Sequence, residues 1–314
     1  RFKKQQIRMK HIHIVFIILA MLVACGQSVE EKDRLSRQER LRLAREDSVA
    51  LKVAVMPTLD CLPLYVAQMY NLFDTLGADV RLKPYTAQMD CDTALQRKRV
   101  EGAVTDLVRG QRMVKEGTPL TYVTSTNAYW QLITNRNARI TNLKHLDDKM
   151  LAMTRYSATD LLADRAVAMS GLKPERVFRV QINDVGVRLK MLQNNSMDAM
   201  MLTEPQAAVA RIGKHRVLLD SRKLDISLGA FAFRSELMED KGRKKQIDIF
   251  LRAYNMACDS INEHGVAAYR ELVARYCGVG EAAADSIPAG LKFGHAAAPR
   301  KKDIELADSW LARQ

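Results

Sequence analysis

The chain has 314 residues, 47% of them hydrophobic and only 6% aromatic, with a formal net charge of +13 and an isoelectric point near 9.6. Its length exceeds the usual domain of about 100–150 residues, so two lobes are expected. The basic residues are not interleaved with aromatics as a nucleic-acid surface requires, which removes nucleic acid from the partners considered. Its cysteines form no CxxC pair and its six histidines are scattered, so the sequence indicates neither a metal nor a redox cofactor.

In chain order, residues 1–10 carry five basic side chains and no acid, and residues 12–24 are an apolar run. Together they read as a secretion signal over residues 1–24, too short to cross a bilayer comfortably, with Met9 as a natural start. The run ends in Leu22-Val23-Ala24-Cys25-Gly26, which resembles the lipobox of bacterial lipoproteins. This makes Cys25 the expected lipidation site and first mature residue. Removing the signal takes away five positive charges and leaves +8 on 290 residues. Residues 25–50 are charged and nearly free of aromatics, with leucines too sparse to build a core. They read as a partly helical tether that holds the folded part off the membrane. The basic runs 241–245 and 300–302 read as solvated surface rather than as a binding patch.

Folded pattern begins at Leu51. An apolar run 51–56, a loop through Pro57, Thr58, Leu59 and Asp60, and an amphipathic stretch 62–73 predict strand, loop and helix. The unit recurs as strand 78–85 and helix 92–99, strand 100–105 and helix 109–116, then strand 120–124. A crossing strand at 129–135 opens a second series: strand 150–154, helix 159–170 stopped by Gly171, strand 177–182, helix 185–193, strand 197–202, helix 206–212 and strand 216–219. Alternation of this kind gives two α/β lobes with parallel-rich sheets covered on both faces. A strand at 228–233 and long helices follow, one with a stripe of Ile247, Phe250, Leu251, Tyr254, Cys258 and Ile261. EGAVTDLVRGQRMVKEG in the first series echoes MDAMMLTEPQAAVARIGK in the second. Because ligands of open α/β sheets bind beyond the carboxyl ends of strands, the echo puts Thr105-Asp106 and Thr203-Glu204 at the rims of their lobes.

The segments LKVAVMPTLDCLPLYVAQMYNLFDTLG, TALQRKRVEGAVTDL, LKHLDDKMLAM with TRYSATD, and MDAMMLTEPQAA, in this order and spacing, resemble the periplasmic solute-binding proteins of ABC importers. The branch they are similar to binds thiamine-pyrimidine precursors, aliphatic sulfonates and nitrate-like solutes. The resemblance implies a type II periplasmic-binding-protein fold, with lobe 1 over residues 51–128 and 228–314, lobe 2 over 129–227, and hinge crossings near Trp130 and Ser227. It also implies a small-molecule solute in the interlobe cleft, an ABC permease as membrane partner, a monomer held in the cell envelope by its lipid anchor, and no catalytic residues. Carried onto this chain, the family's ligand positions are Thr58, Leu59, Asp60, Thr105, Asp106, Arg155, Tyr156, Ser157 and Glu204, with Tyr65, Tyr156 and Trp130 as faces that could stack. Asp60 and Asp106 could equally cap the helices that follow them, Trp130 could belong to the hinge or core, and Arg155 could pair with a neighbouring acid. Glu204, before Pro205, is the preferred ligand acid. Three acids against one base favour a neutral or cationic nitrogen compound such as an aminopyrimidine.

Two further expectations rest on the implied fold. Cys61 and Cys91, placed in loops after neighbouring strands, are expected to form a disulfide in an oxidising envelope. A pyrimidine-synthase-like enzyme on the same scaffold would need a Cys-rich iron motif, and Cys61, Cys91, Cys258 and Cys277 do not form one in sequence. A surface lipoprotein that binds a solute or partner without a permease stays open, since Glu30-Glu31 after Cys25 resembles a surface-export signal of some lipoproteins.

Overall fold

The computed structural model describes residues 29–314; the expected signal segment 1–24 and the lipidation site Cys25 lie outside the described residues. The chain divides into two units, one up to Ala50 and one from Leu51 to Gln314. In the first, α1 (Val29–Val49) is a polar helix with no apolar stripe. Its exposed pairs Arg42–Glu39 at 2.5 Å and Arg42–Glu46 at 3.5 Å sit one turn apart, the spacing at which opposite charges support a solvated helix.

The second unit begins with β1 (Leu51–Val55), α2 (Leu62–Met69), β2 (Val80–Pro84), α3 (Gln88–Gln96), β3 (Gly102–Asp106), α4 (Leu107–Lys115) and β4 (Leu120–Ser125). The chain then crosses to a second series: β5 (Trp130–Thr134), β6 (Lys149–Met153), α5 (Ala158–Ser170), β7 (Val177–Gln181), α6 (Val185–Gln193), β8 (Ala199–Thr203), α7 (Gln206–Ile212) and β9 (Arg216–Asp220). It returns through β10 (Gly229–Arg234) and ends in α8 (Lys241–His264), α9 (Arg270–Cys277) and α10 (Lys301–Leu311).

Two five-stranded sheets result, ordered β2-β1-β3-β10-β4 and β7-β6-β8-β5-β9. In each, four strands run in one direction, and the strand that arrives from the other lobe is antiparallel to both its neighbours. The echoing segments take equivalent central places, as β3 and β8. This is the type II arrangement of two α/β lobes, with crossings at residues 126–129 and 221–228.

The strands are covered on both faces, which is why β1, β3, β8 and β10 are almost wholly buried. Phe231 and Phe233 of β10 meet Phe250 of α8 edge to face at 6.0 and 5.4 Å, so the predicted α8 stripe does close the core of lobe 1. Gly102 lets this happen, because a Cβ there would stand 2.5 Å from the Phe233 ring. The last helix is not confined to lobe 1. Trp310 and Ala307 of α10 share a core with Leu107 and Val108 of lobe 1 and with Leu161 and Leu162 of lobe 2. The Trp310 indole donates to Asp164 of α5 at 2.6 Å, while Gln111 of α4 donates to Asp308 at 2.7 Å.

Among the described residues no helix is long and apolar enough to cross a membrane. Two local expectations shift. The predicted helix 62–73 breaks at Asn71, which adopts φ 52°. The second helix starts at Gln88 rather than Asp92 because its first turn carries no capping residue to mark it in sequence. That start corrects the placement of Cys91, which lies on the buried face of α3 instead of in a loop. Cys61 and Cys91 are both buried free thiols of the lobe 1 core, and the expected bridge is not formed. Burial pushes both thiols well above the ordinary cysteine range, which suits packing and not reactivity.

Candidate functional site

The carboxyl ends of the parallel strands of both sheets face one another across a narrow cleft, the position such sheets reserve for ligands. Lobe 1 contributes Met56, Thr58 and Asp60 after β1, Gln88 at the start of α3, and Val104, Thr105 and Asp106 at the end of β3. Lobe 2 contributes Trp130, Thr154, Ser157, Thr159, Asn183, Val185, Arg188 and Thr203. The open interior is about 60 Å³, which is room for several waters or a small solute, given that one water needs about 10–15 Å³ on this measure. The lobes touch around it. Leu59 N–H donates to the Glu204 carbonyl at 2.8 Å, Gln206 to the Pro57 carbonyl at 2.8 Å, and Arg109 to the Arg155 carbonyl at 3.2 Å.

The electrostatics of the two walls differ. On the first wall, Asp60 accepts from the Thr126 hydroxyl at 3.1 Å; burial raises its pKa, opposed by hydrogen bonds from Thr58 and Thr126. Asp106 caps α4 by accepting from Arg109 N–H at 3.0 Å. Burial pushes its carboxyl up to about 6, opposed by that amide, by the Arg109 charge and by the Ala158 amide at the start of α5. Arg109 itself is engaged by the buried carboxylate of Asp92.

On the second wall, Ser157 caps α5, accepting from Thr159 N–H at 3.1 Å, and its hydroxyl donates to the Thr154 carbonyl at 2.7 Å. Beside them lies Arg188 of α6, only 6% exposed. It donates to the Met201 carbonyl at 2.7 Å and to the Thr154 hydroxyl at 3.2 Å, while its Nε has no partner. A guanidinium has five N–H donors, and among the described residues no carboxylate pairs with this one. Asp184, which caps the same helix, acts on it only through space. Burial pulls its pKa down to about 10, so the charge persists at neutral pH. Burying an ion costs several kcal/mol even after relaxation, which makes an unpaired one at a cleft wall the least expected feature of the fold.

The NMT1/THI5-like family model matches residues 58–268, more than half of the chain and both walls of the cleft. The chain belongs to the NMT1/THI5-like family. Among solved structures it is similar to the alkanesulfonate-binding protein of Xanthomonas axonopodis pv. citri (TM-score 0.71, 16% identity, covering 84% of this chain and 92% of that one). It is also similar to the periplasmic aliphatic sulphonate-binding protein of Escherichia coli (0.68, 17%, 84% and 87%) and the periplasmic nitrate-binding protein of Synechocystis PCC 6803 (0.64, 15%, 75% and 68%). At these identities the likeness is one of fold. No curated protein matches the sequence.

Within this family framework, Thr58, Asp60, Thr105, Asp106 and Ser157 line the cleft. Leu59 is buried in the core of lobe 1, and its backbone N–H reaches the other lobe. The side chains of Arg155 and Tyr156 do not line the cleft: Tyr156, at φ 52°, lies under the Arg112 guanidinium at 4.4 Å, and Arg155 is exposed. Glu204 is the main correction. Its carboxylate accepts from Tyr129 Oη at 2.6 Å, Arg211 Nη1 at 2.6 Å and Ala208 N–H at 2.9 Å, so it is a saturated strut beside the hinge and not a free ligand acid. Tyr65 stacks on Tyr276 at 4.2 Å and donates to the Met56 carbonyl, inside lobe 1. Trp130 does reach the cleft. Sequence reasoning missed Thr154, Thr159, Asn183 and Arg188. The first two lie within the quoted TRYSATD segment and could have been found as short hydroxyls at a helix start; Arg188 gives no local signal.

Proposed function

We propose that this protein is an extracytoplasmic solute-binding receptor that captures a small polar solute between its lobes and delivers it to an ABC permease, held at the membrane by a lipid on Cys25. The observation that carries the reading is Arg188, a buried charge on one wall of an interlobe cleft that meets no carboxylate among the described residues and whose Nε donates to nothing there. A charge kept at that cost is accounted for by a solute that completes it on closure. The lobes, 51–128 with 228–314 and 129–227, act as bodies about the crossings, and the receptor works as a monomer. The aminopyrimidine reading rested on three acids against one base; with Glu204 sealed by Arg211, Arg155 outside the cleft and Arg188 added, two acids face one base across the cleft, and the excess of acid is smaller than that reading assumed.

Native mass spectrometry of protein purified from its own envelope without refolding tests the reading. The expected result is a species heavier than the mature lipidated chain by one small molecule, lost on mild activation. A chain that carries no solute and gains none from an extract of small metabolites would contradict it.

A further inference from the structure

The charges of the cleft are sorted by wall. Asp60 and Asp106 stand on lobe 1, and Arg188 stands on lobe 2. Neither carboxylate has a cation to itself: Asp60 is held by threonine hydroxyls, and Asp106 by amides, with Arg109 already engaged by Asp92. Arg188 has only a carbonyl and a hydroxyl. The lobes are in contact, yet no hydrogen bond joins these acids to this base.

We propose, resting on the receptor reading, that the solute is amphoteric, with a cationic nitrogen received by Asp60 and Asp106 and an anionic oxygen group received by Arg188 and the Thr154 hydroxyl. The alternatives each leave a buried charge uncompensated. A simple anion satisfies Arg188 but is buried against two carboxylates. A simple cation satisfies the acids and leaves Arg188 alone, and a neutral solute leaves all three without a counter-charge. Only a molecule with both charges, oriented from one lobe to the other, sets an opposite charge against each wall. It also explains why closure would depend on the solute, because each lobe holds one end.

The test is calorimetry at neutral pH with matched probes: ω-amino sulfonates, carboxylates and phosphonates of two to four carbons, the same acids without the amine, and the same amines without the acid. The expected result is at least one amphoteric probe that binds on the order of 100-fold more tightly than both of its singly charged counterparts. Arg188→Gln should abolish the preference for the acid end, and Asp60→Asn the preference for the amine end. Arg188→Lys, which keeps the charge and guards against a folding defect, should retain the first preference at lower affinity. A singly charged counterpart that binds as tightly as its amphoteric parent overturns the proposal, as does an Arg188→Gln protein with unchanged preferences. Binding confined to neutral or singly charged compounds, in protein that compacts with them, overturns the charge assignment and leaves the receptor standing. No binding and no compaction with any compound overturns both.

Discussion

At the scale of single residues, the site is made of groups with two duties. Asp106 caps α4 and also lines the cleft, and burial holds its carboxyl at about 6 against an ordinary 3.8. The folded state therefore binds its proton more tightly than the unfolded chain does. Its contribution is most favourable below about pH 4 and is lost as pH rises through about 6. Asp106→Asn keeps a cap and removes the titration, so the stability of the variant relative to the parent should rise between pH 4 and pH 6.5 in paired thermal melts; a flat difference would mean that the carboxyl is not perturbed. Glu204 has the other kind of role. Glu204→Ala removes three hydrogen bonds to a buried carboxylate and should cost about 3 kcal/mol in denaturant melts, while affinity of the folded protein for its solute changes only a few-fold. A large loss of affinity with unchanged stability would restore Glu204 as a ligand. The contrast shows what sequence could supply. An acid at the end of a strand was visible in both echoing segments, but whether it meets solute or a strut depends on how α7 turns Arg211 back onto it and on Tyr129, which arrives from the crossing. Arg188 was invisible because it sits inside an ordinary amphipathic helix, and only the packing of α6 under Thr154 turns it to the cleft.

At the scale of elements, the crossings position the site. Gly229 opens β10 where the chain returns to lobe 1, and a Cβ there would collide with the Thr126 hydroxyl and stand 2.6 Å from Ala128 Cβ. Thr126 is the residue that donates to Asp60. Gly229→Ala should therefore destabilise by about 1–3 kcal/mol, as overpacking does, and should weaken solute binding as well, because the displaced Thr126 leaves Asp60 without its hydroxyl. An alanine variant with parental melting and affinity would show that the crossing yields freely. Strand and helix order was legible across this region because the hydrophobic period alternates cleanly between 2 and 3.6. What was not legible was α10: its residues read as one more amphipathic helix, and nothing in them says that Trp310 reaches Asp164 of the other lobe.

At the scale of the molecule, both lobes contribute to one small cleft, with acids on one wall and a base on the other, and a C-terminal helix packs against both. The fold was legible because it depends on order and periodicity over more than 150 residues; the solute was not, because it depends on the direction of a few side chains. The account predicts two populations, an open form and a closed form, whose balance the solute shifts by binding both walls at once. Small-angle scattering along a titration with the solute released from natively purified protein tests this most directly. The radius of gyration should fall along a single saturating curve whose midpoint matches the calorimetric affinity, and Arg188→Gln should remove the fall. A bound solute that leaves the radius of gyration unchanged from first addition to saturation would contradict the account.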